Sequence, residues 1–393
     1  MRLVFHKDNK TVLHAAFVLW LISESLFSYT VISQVALLLF VGLSVAVVPW
    51  IRWPYVLTGY ALFAAWSVLN IATGHAAGQS VAMAMTRTVF LCLLFLYGFN
   101  CYYRYIGNII EILKLYKWVG IAFSILCLIG GLYSVANGER MNAFGLNANA
   151  IARLAGFSLI IVVYEAQNRT DTEKTGYTGL FVAVLVMTIL FTGSRKGLII
   201  PALGVYILVA FRRSGRFFAY TVLTFFAACV ALWLLMNIPG LYRLVGYRVE
   251  PVLLFLRGEE IQEASMETRL HYIQLAWEES KKMPFWGYGL DCFRLLRYAY
   301  GTYSHSNYFE ILYSLGWPGL ILYYGPFAYT ILRIPSRLHV NREKTVLLTA
   351  MLVPFVLCDF LNVTYYTRTA LIIPMAVMFS MLREEENGDC QNN

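Results

Sequence analysis

The chain has 393 residues, of which 59% are hydrophobic and only 13% are charged. Charged residues make up about a quarter of ordinary soluble domains, so the composition excludes a soluble protein of this length. The formal net charge of +9 could suit nucleic acid. A membrane interpretation explains it better, because Lys and Arg collect in the cytoplasmic loops of membrane proteins. We therefore predict contact with a lipid bilayer and with no nucleic acid.

Apolar segments follow one another along the chain, with a typical length of roughly 17–21 residues, which is enough to cross a bilayer core as a helix. Backbone polar groups in lipid must be satisfied within the segment, which favours helices. The sequence predicts an all-α polytopic membrane protein, with residues 1–393 as a single integral membrane domain. About twelve transmembrane helices are predicted, at residues 11–29, 31–49, 55–73, 85–102, 118–136, 150–167, 177–193, 197–211, 217–237, 317–333, 345–363 and 369–383.

Basic residues predict the orientation of these helices. With a cytoplasmic N-terminus, most basic clusters fall on the cytoplasmic side. This predicts a multi-pass protein of the cytoplasmic membrane, with both termini in the cytoplasm. The predicted cytoplasmic clusters are Arg2/Lys7/Lys10, Arg52, Arg104/Lys114/Lys117, Arg169/Lys174, Arg212/Arg213/Arg216, Arg333/Arg337/Arg342/Lys344 and Arg383. The outer loops are then residues 74–84, 137–149, 194–196, 238–305 and 364–368.

Residues 238–305 form the one large predicted extracytoplasmic loop, whose eight basic and eight acidic residues cancel. Within it, Met266–Lys281 has Leu270, Ile273 and Trp277 at helical spacing, which predicts a short amphipathic helix on the membrane or over a cavity. Pro284–Gly289 is predicted to be a turn. Five outer-loop aromatics could stack on sugars or belong to the aromatic belt of the membrane interface: Tyr288, Phe293, Tyr298, Tyr300 and Tyr303.

Two arginines fall on the predicted outer side. Arg195 lies in Thr192-Gly-Ser-Arg-Lys-Gly197, where the positive-inside bias disfavours a cation unless an anionic ligand compensates it. A planar guanidinium suits bidentate phosphate binding; the alternative is an interfacial anchor. Arg269 on the amphipathic helix is a second candidate, or one partner of a local surface ion pair.

His305 is the candidate base, because an imidazole can exchange a proton near neutral pH. Its neighbours Ser304, Ser306 and Asn307 could fix its tautomer. Glu310 could orient the site or cap the short helix predicted at Ser306–Leu315. The alternative is a hydrogen-bonded interfacial histidine without a chemical role.

A further polar outer segment contains Asn147, Asn149 and Arg153, which could bind a sugar or a diphosphate. Asn147 or Asn149 could equally cap the following helix. Glu24 and Asp359 lie near span ends and are interpreted as satisfied polar groups rather than a proton relay. The sequence contains no metal-ligand or nucleotide-loop motif, so we expect no metal and no cofactor.

Several motifs occur in a fixed order on one predicted side: Thr192-Gly-Ser-Arg195, Glu267-Thr-Arg269, Pro284-Phe-Trp-Gly-Tyr-Gly289, Ser304-His-Ser-Asn-Tyr-Phe-Glu310 and Leu315-Gly-Trp-Pro-Gly319. In this order the chain resembles the O-antigen ligase and O-antigen polymerase superfamily of bacterial envelope glycosyltransferases. The likeness covers most of the chain, with the ligase-like region over residues 141–383.

The resemblance implies transfer of a glycan from an undecaprenyl-diphosphate carrier to a sugar hydroxyl at the outer face, without metal or nucleotide sugar. It implies that Arg195 and Arg269 bind the diphosphate and that His305 is the base or positions the acceptor. Asn147, Asn149, Arg153, Asn307 and Glu310 are the candidate substrate-binding residues. A flippase and a chain-length regulator are further candidate partners.

Three functions remain open at this point. The first is a polymerase of surface-polysaccharide repeat units, favoured by the look of the Ser304-His-Ser-Asn-Tyr308 stretch. The second is a ligase that moves finished glycan to a terminal acceptor such as lipid A core. The third is a lipid-linked glycan transporter, although transporters usually show midplane charges and internal repeats.

Overall fold

The computed structural model describes residues 8–48, 53–137, 141, 143–168, 176–212, 217–257 and 264–389. All regular structure in these ranges is helical, so the predicted all-α class is confirmed. Of the predicted cytoplasmic basic residues, those at positions 2, 7, 52, 169, 174, 213 and 216 lie outside the described ranges.

Each predicted span coincides with a helical segment. The helices are α1 Asp8–Leu26, α2 Val31–Val47, α3 Tyr55–Ala72, α4 Gln79–Ile106, α5 Ile109–Ala136, α6 Ala148–Asn168, α7 Tyr177–Thr192, α8 Arg195–Arg212, α9 Phe217–Asn237, α10 Pro239–Leu241, α11 Tyr247–Arg257, α12 Ala264–Ser280, α13 Asn307–Val340, α14 Arg342–Cys358 and α15 Arg368–Asp389.

Five helices among the described residues are long and apolar enough to cross a bilayer: α4, α5, α6, α9, and α14 with the turn that follows it. Four shorter helices, α2, α3, α7 and α15, are also apolar. The chain is thus a multi-pass membrane protein. The count of twelve spans and the side of the membrane on which residues 238–305 lie stay predictions.

The chain divides into two compact units. Unit 1 comprises Met1–Ile112, Glu267–Arg333 and Asp359–Asn393, and unit 2 comprises Leu113–Met266 and Ile334–Cys358.

Unit 1 is built around aromatic rings shared by α1, α2 and α4. Trp20 of α1 stacks on Phe95 of α4 with ring centroids 4.3 Å apart, and Phe40 of α2 stacks on the same Trp20 at 5.8 Å. All three side chains are fully buried. Offset ring packing of this kind adds to the stabilisation that comes from burial alone.

In unit 2, α6 packs against α7 and α8, and α8 packs against α14. A short ion pair joins Lys117 Nζ of α5 to Glu165 Oε2 of α6 at 2.6 Å, and both side chains are largely buried. Breaking such a pair by removing one partner leaves an uncompensated charge, which is strongly destabilising.

The two carboxylates near span ends are both hydrogen-bonded inside unit 1. Glu24 Oε1 accepts from Arg368 Nε at 3.0 Å, and Arg368 Nη1 donates to Gln34 at 3.0 Å. Asp359 accepts from Tyr324 and Thr364 at 2.8 Å each. Both carboxylates thus have partners within unit 1, but Glu24 Oε2 is buried without a hydrogen bond among the described residues, so Glu24 is only partly satisfied.

The helix predicted at Met266–Lys281 exists as α12, and it packs in unit 1 through a face other than the predicted apolar stripe. Tyr272 and Ala276 are its buried side chains, whereas Leu270 and Trp277 remain 37% and 38% exposed. The small Ala276 allows close approach to the aromatic cluster that Tyr272 joins. The stripe of Leu270, Ile273 and Trp277 is thus not the face that packs in unit 1, and its contact with the membrane or with a cavity stays a prediction.

A sharp kink in α13 separates its first segment, 307–315, from the long apolar remainder. Gly316 has φ 65° and ψ −167°, a backbone region that essentially only glycine enters. A Cβ at this position would collide with the carbonyl oxygens of Pro284 and Phe285. The first segment is thus the short helix predicted before the span at 317–333.

The turn at Pro284–Gly289 is confirmed, and its backbone is bonded to this kink. Trp317 N donates to Pro284 O at 2.8 Å and Gly289 N donates to Ser314 O at 2.7 Å. Two of the most specific sequence motifs are therefore one structural junction.

We expect Gly316→Ala to lower the free energy of unfolding by about 2 kcal/mol or more, because alanine cannot adopt this backbone conformation without strain. Gly325→Ala in the same helix is the matched control, since its Cβ would meet no atom within 4 Å. Thermal unfolding in one detergent would compare them. An equal effect of both substitutions would contradict the role of the kink.

Candidate functional site

His305 lies in the turn directly before α13, in unit 1. Its backbone is left-handed, with φ 64°, which is uncommon for a residue other than glycine. The imidazole stacks on Tyr272 of α12, with centroids 5.9 Å apart and planes 10° apart, and contacts Tyr303 at 4.5 Å. Two tyrosine rings therefore fix the orientation of the half-exposed histidine.

Arg269 lies on α12 one turn before Tyr272, near Tyr303. Burial raises the pKa of the Tyr303 phenol, and the positive charge of Arg269 partly offsets that rise. One guanidinium and one imidazole thus both lie near the same tyrosine. The structure brings together two of the three predicted catalytic residues within unit 1.

Glu310 forms a hydrogen bond with the backbone of Ser304, the residue before His305. Its Oε2 accepts from the backbone N–H of Ser304 at 2.7 Å, and its own N–H donates to Ser306 O at 2.9 Å. The carboxyl group is fully buried, and burial raises its pKa to about 7. Glu310 precedes the Gly316 kink, outside the predicted span 317–333.

Asn307, the first residue of α13, is fully buried and joins two chain segments. Its Oδ1 accepts from the N–H groups of Thr364 and Tyr365 at 2.8 and 3.0 Å, and its Nδ2 donates to the Tyr324 hydroxyl at 2.7 Å. Each such bond contributes on the order of 1 kcal/mol net, and an orphaned partner costs more. Asn307 thereby fixes the start of α13 beside His305.

In unit 2, two helices begin side by side at the other predicted residues. Asn147 Oδ1 accepts from Asn149 N at 2.9 Å and so caps α6. Ser194 caps α8 by accepting from Gly197 N at 3.3 Å, and it donates to Asn149 Oδ1 at 2.9 Å. A Cβ on Gly197 would collide with Ala152, so glycine allows the two helices this close approach.

Cations cluster at these helix starts. Arg195 is the first residue of α8 and is half-buried, Lys196 follows it and is buried, and Arg153 is half-buried within α6. Helix N-termini carry partial positive charge and present backbone N–H groups, which together favour anions. The arrangement in unit 2 suits a phosphate-bearing ligand.

Residues 180–324 match a family model described as O-antigen ligase. This match supports the resemblance of the chain to the O-antigen ligase and polymerase superfamily. The match covers somewhat more than a third of the chain and includes Arg195, Arg269 and His305. The family implies glycan ligase or polymerase activity on lipid-linked substrates in a membrane. A search of curated proteins finds no match.

Sequence reasoning missed Tyr272, Ser194 and Lys196. Tyr272 lies three residues after Arg269, a spacing that places both on one side of a helix, so this signal was available. Ser194 and Lys196 belong to the motif Thr192–Gly197, in which Arg195 is the one predicted site residue. The metal-free reaction stays a prediction, although no group of three metal-binding side chains occurs among the described residues.

Glu310→Gln is expected to flatten the pH dependence of stability. Since burial raises the pKa of this acid from 4.5 to about 7 in the folded protein, the native state binds more protons than the unfolded state between these values. The wild-type free energy of unfolding should therefore fall as pH rises from about 4.5 to 7, by on the order of 3 kcal/mol.

Thermal unfolding across this pH window measures the effect. The control is Glu278→Gln, which removes an exposed carboxylate paired with Lys281. A wild-type profile that does not change between pH 4.5 and 7, or one that is unchanged in Glu310→Gln, would refute the assignment to Glu310.

Proposed function

We propose that this protein transfers a glycan from an undecaprenyl-diphosphate carrier to a sugar hydroxyl at the outer face of the bacterial cytoplasmic membrane. The reaction polymerises repeat units of a surface polysaccharide. It needs no metal, and both chain termini lie in the cytoplasm. A flippase would supply the lipid-linked donor, and a chain-length regulator would end the polymer.

The observation that carries the proposal is that His305 and Arg269 both lie near Tyr303. An imidazole held by two rings can accept a proton in a defined direction, and a guanidinium in the same region can stabilise developing negative charge. General-base catalysis and charge stabilisation are the two needs of this transfer.

In the proposed step the acceptor hydroxyl oxygen attacks the anomeric carbon of the lipid-linked sugar. The bond between that carbon and the diphosphate oxygen breaks, and the electron pair leaves with the lipid diphosphate. His305 takes the hydroxyl proton. A single direct displacement of this kind inverts the anomeric centre.

The lipid diphosphate leaves as an anion, so the rate depends on cations that bind its oxygens. Arg269 of unit 1 and Arg195 of unit 2 are proposed for this role, since the guanidinium fork can bind phosphate oxygens in pairs. For Arg195, further support comes from the adjoining N-termini of α6 and α8.

The remaining candidates divide into two groups. Asn149 and Arg153 are proposed to bind the sugar or diphosphate near Arg195, with Asn147 as the cap that orients them. The contacts of Asn307 and Glu310 support a role for these two residues in positioning His305. Direct contact of either residue with substrate stays a prediction.

Replacing His305, Arg195 or Arg269 by alanine is expected to abolish long surface glycan. Removing a general base slows a reaction about 10²–10⁴-fold, and removing a charge-stabilising donor slows it about 10²–10³-fold. Lys282→Ala, an exposed lysine that follows α12, is the control. Gel analysis of glycan from cells with equal membrane expression measures the outcome.

The species that accumulates separates the candidate functions. Single repeat units on the carrier support the polymerase, whereas full-length polymer left on the carrier indicates a ligase. Normal glycan in all three variants would remove the catalytic assignment. Flux of lipid-linked glycan without any product would favour the transporter.

The two arginines are expected to act non-additively if they bind one diphosphate. The double variant Arg195→Ala/Arg269→Ala should then lose less activity than the product of the two single losses, since residues that act as a unit couple strongly. Initial rates with purified lipid-linked donor measure this. Fully multiplicative losses would indicate that the arginines act on separate groups.

A further inference from the structure

The outer-loop aromatic residues fall into two sets. Tyr288 stacks on a neighbouring tyrosine at 4.9 Å, Phe293 is fully buried, and Tyr303 packs against His305. These rings belong to the packing of unit 1. Tyr298 and Tyr300, in contrast, are 55% and 81% exposed. Only these two of the five are therefore largely open to a ligand.

The exposed turn that carries these two rings contains strained backbone at Tyr300. Tyr300 has φ 50° and precedes Gly301 at φ 75°, and a bulky residue in the left-handed region is a genuine outlier. Between the two tyrosines, Ala299 is fully buried, and its N–H donates to Leu296 O at 3.0 Å. The buried alanine and the strained turn hold both rings outward. Strain of this kind concentrates at functional sites.

The two exposed tyrosines lie close in sequence to the candidate base, His305. Tyr300 lies three residues before Tyr303, whose ring contacts His305 at 4.5 Å. Tyr298 lies five residues before Tyr303, and three and five residues of extended chain span at most about 11 and 18 Å. An oligosaccharide whose terminal hydroxyl lies at His305 would therefore reach Tyr300 first and Tyr298 with its more distant sugars.

The chemistry of these side chains suits a glycan. The ring face is apolar and carries a negative quadrupole, whereas the hydroxyl is polar. The C–H face of a sugar ring can stack on such a surface while its hydroxyls bond to the edge. Arg297 lies over the Tyr298 ring at 5.7 Å, which orients that ring and adds a donor for sugar oxygens.

We propose that Tyr298 and Tyr300 form a glycan-binding surface that binds the acceptor sugar chain next to the hydroxyl that reacts at His305. The proposal rests on the glycosyl transfer described above and adds the residues that select the acceptor. The surface acts in binding and has no part in proton transfer.

The test uses full-length protein in nanodiscs. The probe is the oligosaccharide released by mild acid from the lipid-linked material that accumulates in cells lacking the protein. With this acceptor, Tyr298→Ala and Tyr300→Ala should each raise KM at least tenfold and leave kcat within twofold. Tyr300→Phe should keep the wild-type KM. Tyr133→Ala is the matched control, because Tyr133 is 82% exposed on α5 of unit 2.

Tyr300→Gly distinguishes the effect of losing the tyrosine ring from the effect of backbone strain at position 300. Glycine adopts positive φ freely, so this variant should unfold at a higher temperature than Tyr300→Ala while its KM is raised as much. Unchanged KM in Tyr298→Ala and Tyr300→Ala would overturn the proposal. Reduced membrane insertion with unchanged acceptor affinity would identify the rings as interface anchors, with the same consequence.

Direct binding of the same oligosaccharide, measured by saturation-transfer NMR, makes the result independent of turnover. Binding to the wild type that is lost in the double variant Tyr298→Ala/Tyr300→Ala supports the surface, even if no product forms and the proposed transfer is wrong. No binding to the wild type would overturn the surface itself.

Discussion

The close backbone contact between the turn 284–289 and the kink at Gly316 is the constraint on which the site in unit 1 depends. Carbonyl oxygens of Pro284 and Phe285 occupy the space that a side chain at 316 would need. Backbone hydrogen bonds then join the turn to the end of the first α13 segment. This segment starts at Asn307, so the same contact that ends it also determines where His305 lies. Gly316, which no other residue can replace without strain, thus sets the position of His305, eleven residues before it.

The polar groups around His305 differ in burial. Asn307 and Glu310 are buried, and their hydrogen bonds are made to backbone N–H groups or to side chains within unit 1. His305 and Arg269 lie near Tyr303, and the imidazole is half-exposed. Buried polar groups keep their partners because an orphaned donor or acceptor is costly. The supporting residues are therefore the ones whose loss should alter stability and pH response, and the half-exposed residues are those whose loss should alter turnover.

Unit 2 presents positive charge by other means, in an arrangement that suits an anion. It uses the starts of two helices joined by the hydrogen bond between Ser194 and Asn149, with Arg195 and Lys196 immediately after the cap. From the sequence, Asn147 and Asn149 could either cap a helix or bind a ligand. In the structure Asn147 caps α6, whereas Asn149 connects the two helix starts, so one side chain can serve packing and still lie beside the cations.

The sequence by itself determined the all-α class, the helix positions, the resemblance to the family whose model matches residues 180–324, and the motifs at Arg195, Arg269 and His305. Apolar length, charge and local motifs are properties of contiguous residues, so they can be read along the chain. Tertiary structure alone decided that α12 packs through Tyr272 and Ala276 rather than Leu270 and Trp277. It also decided that Tyr272 and Tyr303 hold the histidine and that Tyr298 and Tyr300 stay exposed. These outcomes depend on which distant segment supplies the complementary surface. A periodic pattern on one helix does not contain that information, because its apolar stripe can face lipid as well as protein.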